Sequence, residues 1–421
     1  MRVAGRVEVP GDKSISHRAL MLAALAHGRS RIRSILRSAD VESTAAVCRA
    51  LGVAIPPLMG DLLVVGRGPS GLRTPAADLD CGNSGTTARL IAGIVAARPM
   101  AARFVGDRSL SRRPMRRVAR PLEAMGARVE LEGGEGLPMR VHGGALRSLS
   151  WDSETASAQV KSAILLAAAT AGVRATVREP ARSRDHTERM LAARGARVTI
   201  TGTSVTVEPT GPLAPLDVTV PGDPSSAAFF AALAALAESG AVELPRVCAN
   251  ETRTGFLDTL VGMGARVTRS DVADEGGEPV ATLRVEPGDL RGTAVGGDAV
   301  PRMIDELPML ACVGARARGE TRIIGAGELR VKESDRIAAV VANLRAIGAD
   351  AEELPDGLVV QGSERPLRGR VTTHGDHRLA MAFGVLGALD GNAIEIDDRA
   401  CVAVSYPGFW DDLRRVVVRG R

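Results

Sequence analysis

The cations and carboxylates of this chain gather in short phrases, each placed where a loop hands over to an apolar helix. Lys13-Ser14-Ile15-Ser16-His17-Arg18 sets an ammonium, two hydroxyls and a guanidinium at one such turn. A helix N-terminus favours anions through its free N–H groups and its dipole, so this phrase is a phosphate site or, alternatively, a solvated cap. Cys81-Gly82-Asn83-Ser84-Gly85-Thr86-Thr87-Ala88-Arg89 is a small-residue loop whose backbone amides can approach an anion closely. Ordinary turns use the same residues, and no Gly-Lys-Ser/Thr of a Walker motif follows. Arg108-Ser109-Leu110-Ser111-Arg112-Arg113-Pro114-Met115-Arg116-Arg117 is denser. Charge runs are usually solvated faces, but Pro114 keeps Arg113 out of helical geometry and suits a loop presenting a fork-shaped donor.

Ser157-Ala158-Gln159-Val160-Lys161 opens a further apolar helix, and Ser183-Arg184-Asp185-His186-Thr187-Glu188 does likewise downstream. His186 is either a general base or a structural histidine beside its two neighbouring carboxylates. Ile304-Asp305-Glu306-Leu307-Pro308 sets two carboxylates in the apolar stretch 300–313, where each needs a partner or a raised pKa. Arg330-Val331-Lys332-Glu333-Ser334-Asp335-Arg336 alternates charge at a helix head, as a salt-bridged surface also does. Asp376-His377-Arg378 precedes the apolar run Leu379 to Leu386. Taken together, Lys13, Arg18, Arg113, Lys332, Arg336 and Arg378 can pair with several negative charges, with Asp305 and Glu333 as the acid/base candidates. Such a site requires the two halves of the chain to face each other.

The elements that would position these groups repeat. Val7-Glu8-Val9-Pro10-Gly11-Asp12-Lys13-Ser14 recurs 211 residues later as Val218-Thr219-Val220-Pro221-Gly222-Asp223-Pro224-Ser225, and an Ala/Leu-rich run follows each copy. A strand, a sharp Pro-Gly turn and a buried helix are expected at both places. The copies differ where chemistry resides: Lys13, His17 and Arg18 correspond to Pro224, Ala228 and Phe229. A shorter phrase ends in Gly52, Gly126, Gly195, Gly264 and Gly348, each placed as a helix C-cap with φ > 0 and followed by a strand such as Arg197 to Val207. Other strands are expected at 172–177, 240–244, 319–324 and 391–396. The module is therefore strand, loop, helix, Gly cap, strand, hairpin, strand, and six copies of about 70 residues fill the chain. The sixth stops early, at Asp411 to Arg421, and the N-terminal strand Arg2 to Val9 is free to complete the C-terminal half. One domain then runs continuously over 11–221, and the other combines 1–10 with 222–421, leaving two hinge strands. Two simple tandem domains are the alternative.

The chain has 421 residues, 45 % apolar and 24 % charged, which is the balance of a globular protein with room for two cores. No apolar run approaches the roughly 18 residues that span a bilayer, and no leader is visible, so cytoplasmic residence without a membrane partner is expected. Five scattered cysteines without a CxxC pair fit a reducing compartment and argue against a zinc site. A net charge of +5 calls for an anionic partner, yet only 2 % of residues are aromatic. Stacking platforms for single strands are absent, and no basic arm for a duplex is present, so small multiply charged substrates are expected and nucleic acid is not.

Nine ordered segments carry a resemblance: VPGDKSISHRA (9–19), GNSGTTAR (82–89), RSLSRRPM (108–115), SAQVKSA (157–163), SRDHTE (183–188), NETRTGF (250–256), IDELP (304–308), LRVKESDRI (329–337) and GDHRLAMAF (375–383). Over essentially its full length the chain resembles the 5-enolpyruvylshikimate-3-phosphate synthases, and the GDKS, SAQVK, RDHTE and NETR forms are similar to their second class. The resemblance implies an α/β fold of two similar domains, each of three βαβαββ units around pseudo-threefold symmetry (an inside-out α/β barrel), closing on ligand. It implies transfer of the enolpyruvyl group of phosphoenolpyruvate to the 5-hydroxyl of shikimate 3-phosphate, with release of phosphate, in the shikimate pathway to chorismate and the aromatic amino acids. It implies no metal and no organic cofactor, and a monomer is expected.

By matched position, Lys13, Ser14, Arg18, Ser157, Gln159 and Ser183, with Asp305 and Lys332, are expected to hold shikimate 3-phosphate. Lys13, Gly85, Arg113, Gln159, Arg336 and Arg378 are expected to hold phosphoenolpyruvate. Asp305, Glu333 and Lys332 are the catalytic candidates: Asp305 to accept the proton of the attacking hydroxyl, Glu333 to protonate the methylene carbon, and Lys332 to stabilise charge. Val404 stands where many relatives carry a lysine, and Glu328 where some carry Asn, so neither is expected to be a ligand. The class motifs are associated with tolerance of the inhibitor glyphosate and Gly85 with a pocket roomy enough for it, so the two signals oppose each other. The related UDP-N-acetylglucosamine enolpyruvyl transferases carry a reactive cysteine in the loop that here runs from Ser109 to Met115, where there is none. A repeat scaffold binding polyanions such as RNA is the non-catalytic alternative, weakened by the acidic residues interleaved with the cations.

Overall fold

Each Ala/Leu-rich run forms a helix buried on every side, because small side chains let neighbouring backbones approach. The helix Lys13–Leu25 is buried from Ile15 to Leu25, and all twelve residues of Pro224–Ala235 are buried. At Gly93 an added Cβ would lie 2.2 Å from the carbonyl oxygen of Ala163, so the helices Gly85–Ala96 and Ala158–Ala171 depend on that glycine for their close packing. The strands around them alternate, as in Leu62–Arg67 and Glu320–Ile323, with one face inward and one in solvent. Helices inside and sheets outside are the inverse of an ordinary α/β barrel.

The computed structural model describes residues 1–209 and 211–418. The last three residues of the expected sixth module lie outside the described residues. Two compact units divide the chain. Unit I holds Gly11–Val220 with Asp274–Glu278, and unit II holds Met1–Pro10, Pro221–Ala273 and the chain from Pro279 onward.

Unit I has three sheets, each opened by a parallel pair and extended by antiparallel strands. In chain order of the strands, the second is Leu79–Asp80, Ala101–Val105, Arg128–Leu131 and Met139–His142, and the third is Leu149–Asp152, Ala175–Arg178, Val198–Thr201 and Ser204–Val207. The first joins His27–Arg33 and Leu62–Arg67 to Asp217–Thr219, the last strand of the unit, with Asp217 opposite Arg31. Unit II repeats the plan: Arg2–Arg6 lies parallel to Ser239–Cys248, with Arg2 opposite Ser239. The hairpin Arg266–Glu275/Glu278–Glu286 extends the sheet on one side. On the other, Val417–Val418 pairs antiparallel with Arg2–Arg6, a trailing strand that the early stop of the sixth module did not anticipate. Ala294–Val295, Glu320–Ile323, Asp350–Leu354 and Gly357–Gln361 form the second sheet. The third, among the described residues, pairs Arg368–Val371 in parallel with Ala393–Ile396. The strand before each Pro-Gly signature thus belongs to one unit and the helix after it to the other.

Three local expectations are corrected or extended. Neither Gly11 nor Gly222 adopts positive φ, and no sharp turn forms at either. Their lack of a side chain serves close approach instead, because an added Cβ would sit 2.2 Å from the Ser34 oxygen at Gly11 and 2.8 Å from Val9 Cγ2 at Gly222. The single strand expected over Arg197–Val207 is a hairpin, reversed at Gly202 with φ of 59°. Beyond the two expected crossings, the tip of the hairpin of unit II, Asp274–Glu278, is part of unit I. The helix-ending glycines behave as read: Gly52, Gly126, Gly195, Gly264 and Gly348 all have φ between 90° and 116°.

Candidate active site

In unit I the candidate ligand residues stand at the N-terminal ends of the three inner helices. Asp12 caps the first by accepting from Ile15 N at 2.8 Å, which fixes the turn bearing Lys13 and Ser14. Lys13 pairs with Asp40, in the first turn of the helix Ala39–Ala50. Arg18 is buried and fully engaged: Nε donates to Thr187 Oγ1 at 2.7 Å, Nη2 to Ser162 Oγ at 2.8 Å and Nη1 to Ser14 O at 3.0 Å. Burial pulls its pKa down to about 10, opposed by Glu188, so it stays charged at neutral pH. Its neighbour His17 shares a 2.6 Å hydrogen bond with Thr44 Oγ1, and burial pushes its pKa down to about 3. His17 is therefore a neutral core histidine.

The second helix is capped by Ser84, which accepts from Thr87 N at 3.1 Å. Gly85 begins it, and a Cβ there would meet Arg89 Nη1 at 2.8 Å. Arg89 in turn donates to Gln159 Oε1 and, at 3.2 Å, to Pro114 O, so Gly85, Arg89 and Gln159 form one packed group. Gln159 Nε2 donates to Thr86 Oγ1 at 2.9 Å. Arg113 occupies a bend after the short helix Arg108–Ser111 and is turned inward, donating to Asn83 Oδ1 at 2.6 Å and to Ser109 Oγ at 3.3 Å. The solvated-face alternative for this run therefore fails at Arg113.

The third helix is capped by Ser157. Behind it Lys161 is buried between Glu179 Oε2 at 2.7 Å and Glu188 Oε1 at 2.8 Å. Burial opposes the Lys161 charge, but Glu188 and Glu179 overcome it and raise its pKa. Ser183 Oγ donates to Glu179, 2.7 and 2.8 Å from its two oxygens. His186 is buried and bonded at 2.7 Å to Glu278, on the hairpin tip.

In unit II the candidates converge on Asp305, which precedes the inner helix Leu307–Gly314. Its Oδ1 lies 3.4 Å from both Lys332 Nζ and Arg336 Nη1, its Oδ2 lies 3.9 Å from Arg378 Nη2, and its carbonyl accepts from Arg378 Nη1 at 3.2 Å. Arg336, at the start of the helix Arg336–Ala346, is wholly buried; it lies 2.6 Å from Glu333 Oε2 and donates to Asp376 at 2.8 and 3.2 Å. Burial opposes its charge, but Asp376, Glu333 and Asp305 raise its pKa. Burial likewise opposes ionisation of Asp376, and Arg336 reverses this and lowers its pKa. Asp376 also caps the third inner helix, His377–Ala388, accepting from Arg378 N at 3.0 Å. Val404 closes a short turn, Ala400–Val404, half-buried, and Glu328 lies in the turn Gly327–Val331 that leads to Lys332.

Arrays of this kind bind phosphates and carboxylates, and the three cations hold the Asp305 carboxylate in one position among them. Sequence reasoning missed the groups that bond the candidate residues: Asp40, Asn83, Arg89, Ser162, Glu179 and Thr187. Asn83, Arg89, Ser162 and Thr187 lie inside segments already singled out. Asp40 and Glu179 stand in no motif and become visible only through the fold.

A family model described as EPSP synthase (3-phosphoshikimate 1-carboxyvinyltransferase) matches residues 1–413. A protein of Geobacillus kaustophilus (strain HTA426) named 3-phosphoshikimate 1-carboxyvinyltransferase is 47 % identical over 417 residues, 98 % of this chain and 97 % of the relative. Its namesake from Bacillus subtilis (strain 168) is 43 % identical over 414 residues, again 98 % and 97 % of the two chains. Among solved structures, an EPSP synthase from Acinetobacter baumannii at 2.37 Å matches with a TM-score of 0.86 and 39 % identity, covering 99 % of this chain and 96 % of that one.

Proposed function

We propose that this chain, which belongs to the EPSP synthase family, performs the family's reaction through the residues just described. The reaction is enolpyruvyl transfer from phosphoenolpyruvate to shikimate 3-phosphate, a step of the shikimate pathway. The observation that carries the mechanistic reading is Asp305, a carboxylate facing Lys332, Arg336 and Arg378 at 3.4 to 3.9 Å.

Asp305 accepts the proton of the 5-hydroxyl as that oxygen bonds to C2 of phosphoenolpyruvate. Glu333 delivers a proton to C3, turning the methylene into a methyl group and giving a tetrahedral intermediate. Breaking the bond between C2 and the phosphate oxygen then releases phosphate, which takes the proton held by Asp305, and return of a methyl proton to Glu333 restores the double bond. Lys332 stabilises the charge that shifts between these oxygens. Lys13, Ser14, Arg18, Ser157, Gln159 and Ser183, with Asp305 and Lys332, hold shikimate 3-phosphate. Lys13, Gly85, Arg113, Gln159, Arg336 and Arg378 hold phosphoenolpyruvate. No step calls for a metal or an organic cofactor. Reduced cysteines support a cytoplasmic setting, and we take the working form to be a monomer.

The test is release of phosphate from phosphoenolpyruvate by the purified protein. Release that requires shikimate 3-phosphate, and that UDP-N-acetylglucosamine does not elicit, is the expected result. Release with the UDP-sugar alone, or with neither acceptor, refutes the reading.

A further inference from the structure

Two of the residues assigned to shikimate 3-phosphate, Ser157 and Ser183, sit on different loops, 26 positions apart. One carboxylate ties them together. Glu179 Oε1 accepts the backbone N–H of Ser157 at 2.9 Å, and the same oxygen lies 2.7 Å from Ser183 Oγ. Its other oxygen is held by Lys161 Nζ at 2.7 Å. Lys161 is anchored by Glu188 on the following helix, His186–Ala192, and its Nζ donates to Ser183 O at 3.4 Å. Glu179, Lys161 and Glu188 are all at least 97 % buried, so water competes little for these bonds.

We propose that Glu179 is the positioning residue for shikimate 3-phosphate: it sets the spacing of the Ser157 and Ser183 loops to that of a phosphomonoester, with Lys161 as its brace. The inference rests on the assignment of Ser157 and Ser183 to that ligand. A carboxylate suits the task because it accepts from several donors at once, whereas an amide must turn an N–H towards one of them. Ser183 donates its single proton to Glu179, so binding a phosphate requires that proton to swing to the ligand. Glu179 tolerates the loss because Ser157 N–H and Lys161 still hold one oxygen each. The loops therefore stay in place while the hydroxyl changes partner. Glu179 itself touches no substrate in this arrangement.

Glu179→Gln sets an amide N–H against either Ser157 N–H or Lys161. Glu179→Asp keeps the charge opposite Lys161, protecting the fold, but withdraws the carboxylate by one methylene. Both variants are expected to raise KM for shikimate 3-phosphate about tenfold, as loss of a charge-assisted hydrogen bond does. KM for phosphoenolpyruvate and kcat should stay within about twofold, with Tm recorded alongside. An unchanged KM for shikimate 3-phosphate in both variants, while Ser183→Ala raises it, overturns the inference and leaves the site assignment standing. An unchanged KM in Ser183→Ala overturns both. Equal losses for both substrates together with a lowered Tm reduce Glu179 to a structural role, and this too overturns the inference.

Discussion

Glu333→Gln separates chemistry from binding more cleanly than any other single change in this site. Glu333 Oε2 lies 2.6 Å from Arg336 Nη2, and a glutamine oxygen can accept from that same nitrogen. Arg336 keeps its two bonds to Asp376, at 2.8 and 3.2 Å, and its contact with Asp305 at 3.4 Å. The Glu333 side chain is 22 % exposed but the Oε2 that meets Arg336 is buried, so the substitution should cost about 1–3 kcal/mol of stability. The variant loses the proton for C3. General acid catalysis contributes roughly 100- to 10,000-fold, about 3–5 kcal/mol of barrier, and kcat should fall by that factor. Both KM values should move by less than about threefold. The assay is phosphate release under saturating substrates, with a thermal melt to confirm the fold. A kcat within about threefold of the parent refutes the assignment of Glu333, and a comparable rise in both KM values shows that it binds ligand instead.

Gly85→Ala drives a Cβ to 2.8 Å from Arg89 Nη1 and so pushes on the Arg89–Gln159 pair. KM for phosphoenolpyruvate should rise roughly tenfold for an overpacking cost of about 1–3 kcal/mol, read by steady-state kinetics. Arg18→Lys loses the fork to Thr187 and Ser162, which should raise KM for shikimate 3-phosphate and lower stability by about 1–3 kcal/mol in urea titrations. His17 is a base whose folded pKa, about 3, lies below its unfolded value, so the unfolded chain takes up the proton first as pH falls. The stability associated with the neutral ring is complete above about pH 6.5 and declines below it, by up to about 1.4 kcal/mol per pH unit. In His17→Asn, urea midpoints between pH 6 and 4 should fall less steeply than in the parent; an identical slope refutes the account of this group.

How far the sequence could be read depends on the range of each interaction. Gly52, Gly126, Gly195, Gly264 and Gly348 were legible because a left-handed helix end is a local demand on one residue. The repeat itself was legible because the doubled Val-Pro-Gly-Asp phrase is a local pattern that marks where each copy of the strand–helix unit begins. Asp40 carries no such mark: its bond to Lys13 exists because two helices of one repeat lie side by side. The same holds for His186, whose partner Glu278 is 92 positions away, on a hairpin tip that reads as an ordinary Gly-Gly turn at Gly276 and Gly277. Arg113 shows both limits, since Pro114 signals a bend but nothing local says that Asn83 will draw the guanidinium inward.

The central claim is that protonation at C3 and bond formation at C2 give a tetrahedral intermediate, with Glu333 as the proton donor. Running the reaction in deuterium oxide and measuring deuterium in the enolpyruvyl methylene of the product by mass spectrometry tests it directly. The account predicts deuterium in that methylene, because C3 passes through a methyl group before a proton is lost. A product free of deuterium at full turnover would mean that C3 was never protonated, and would contradict it.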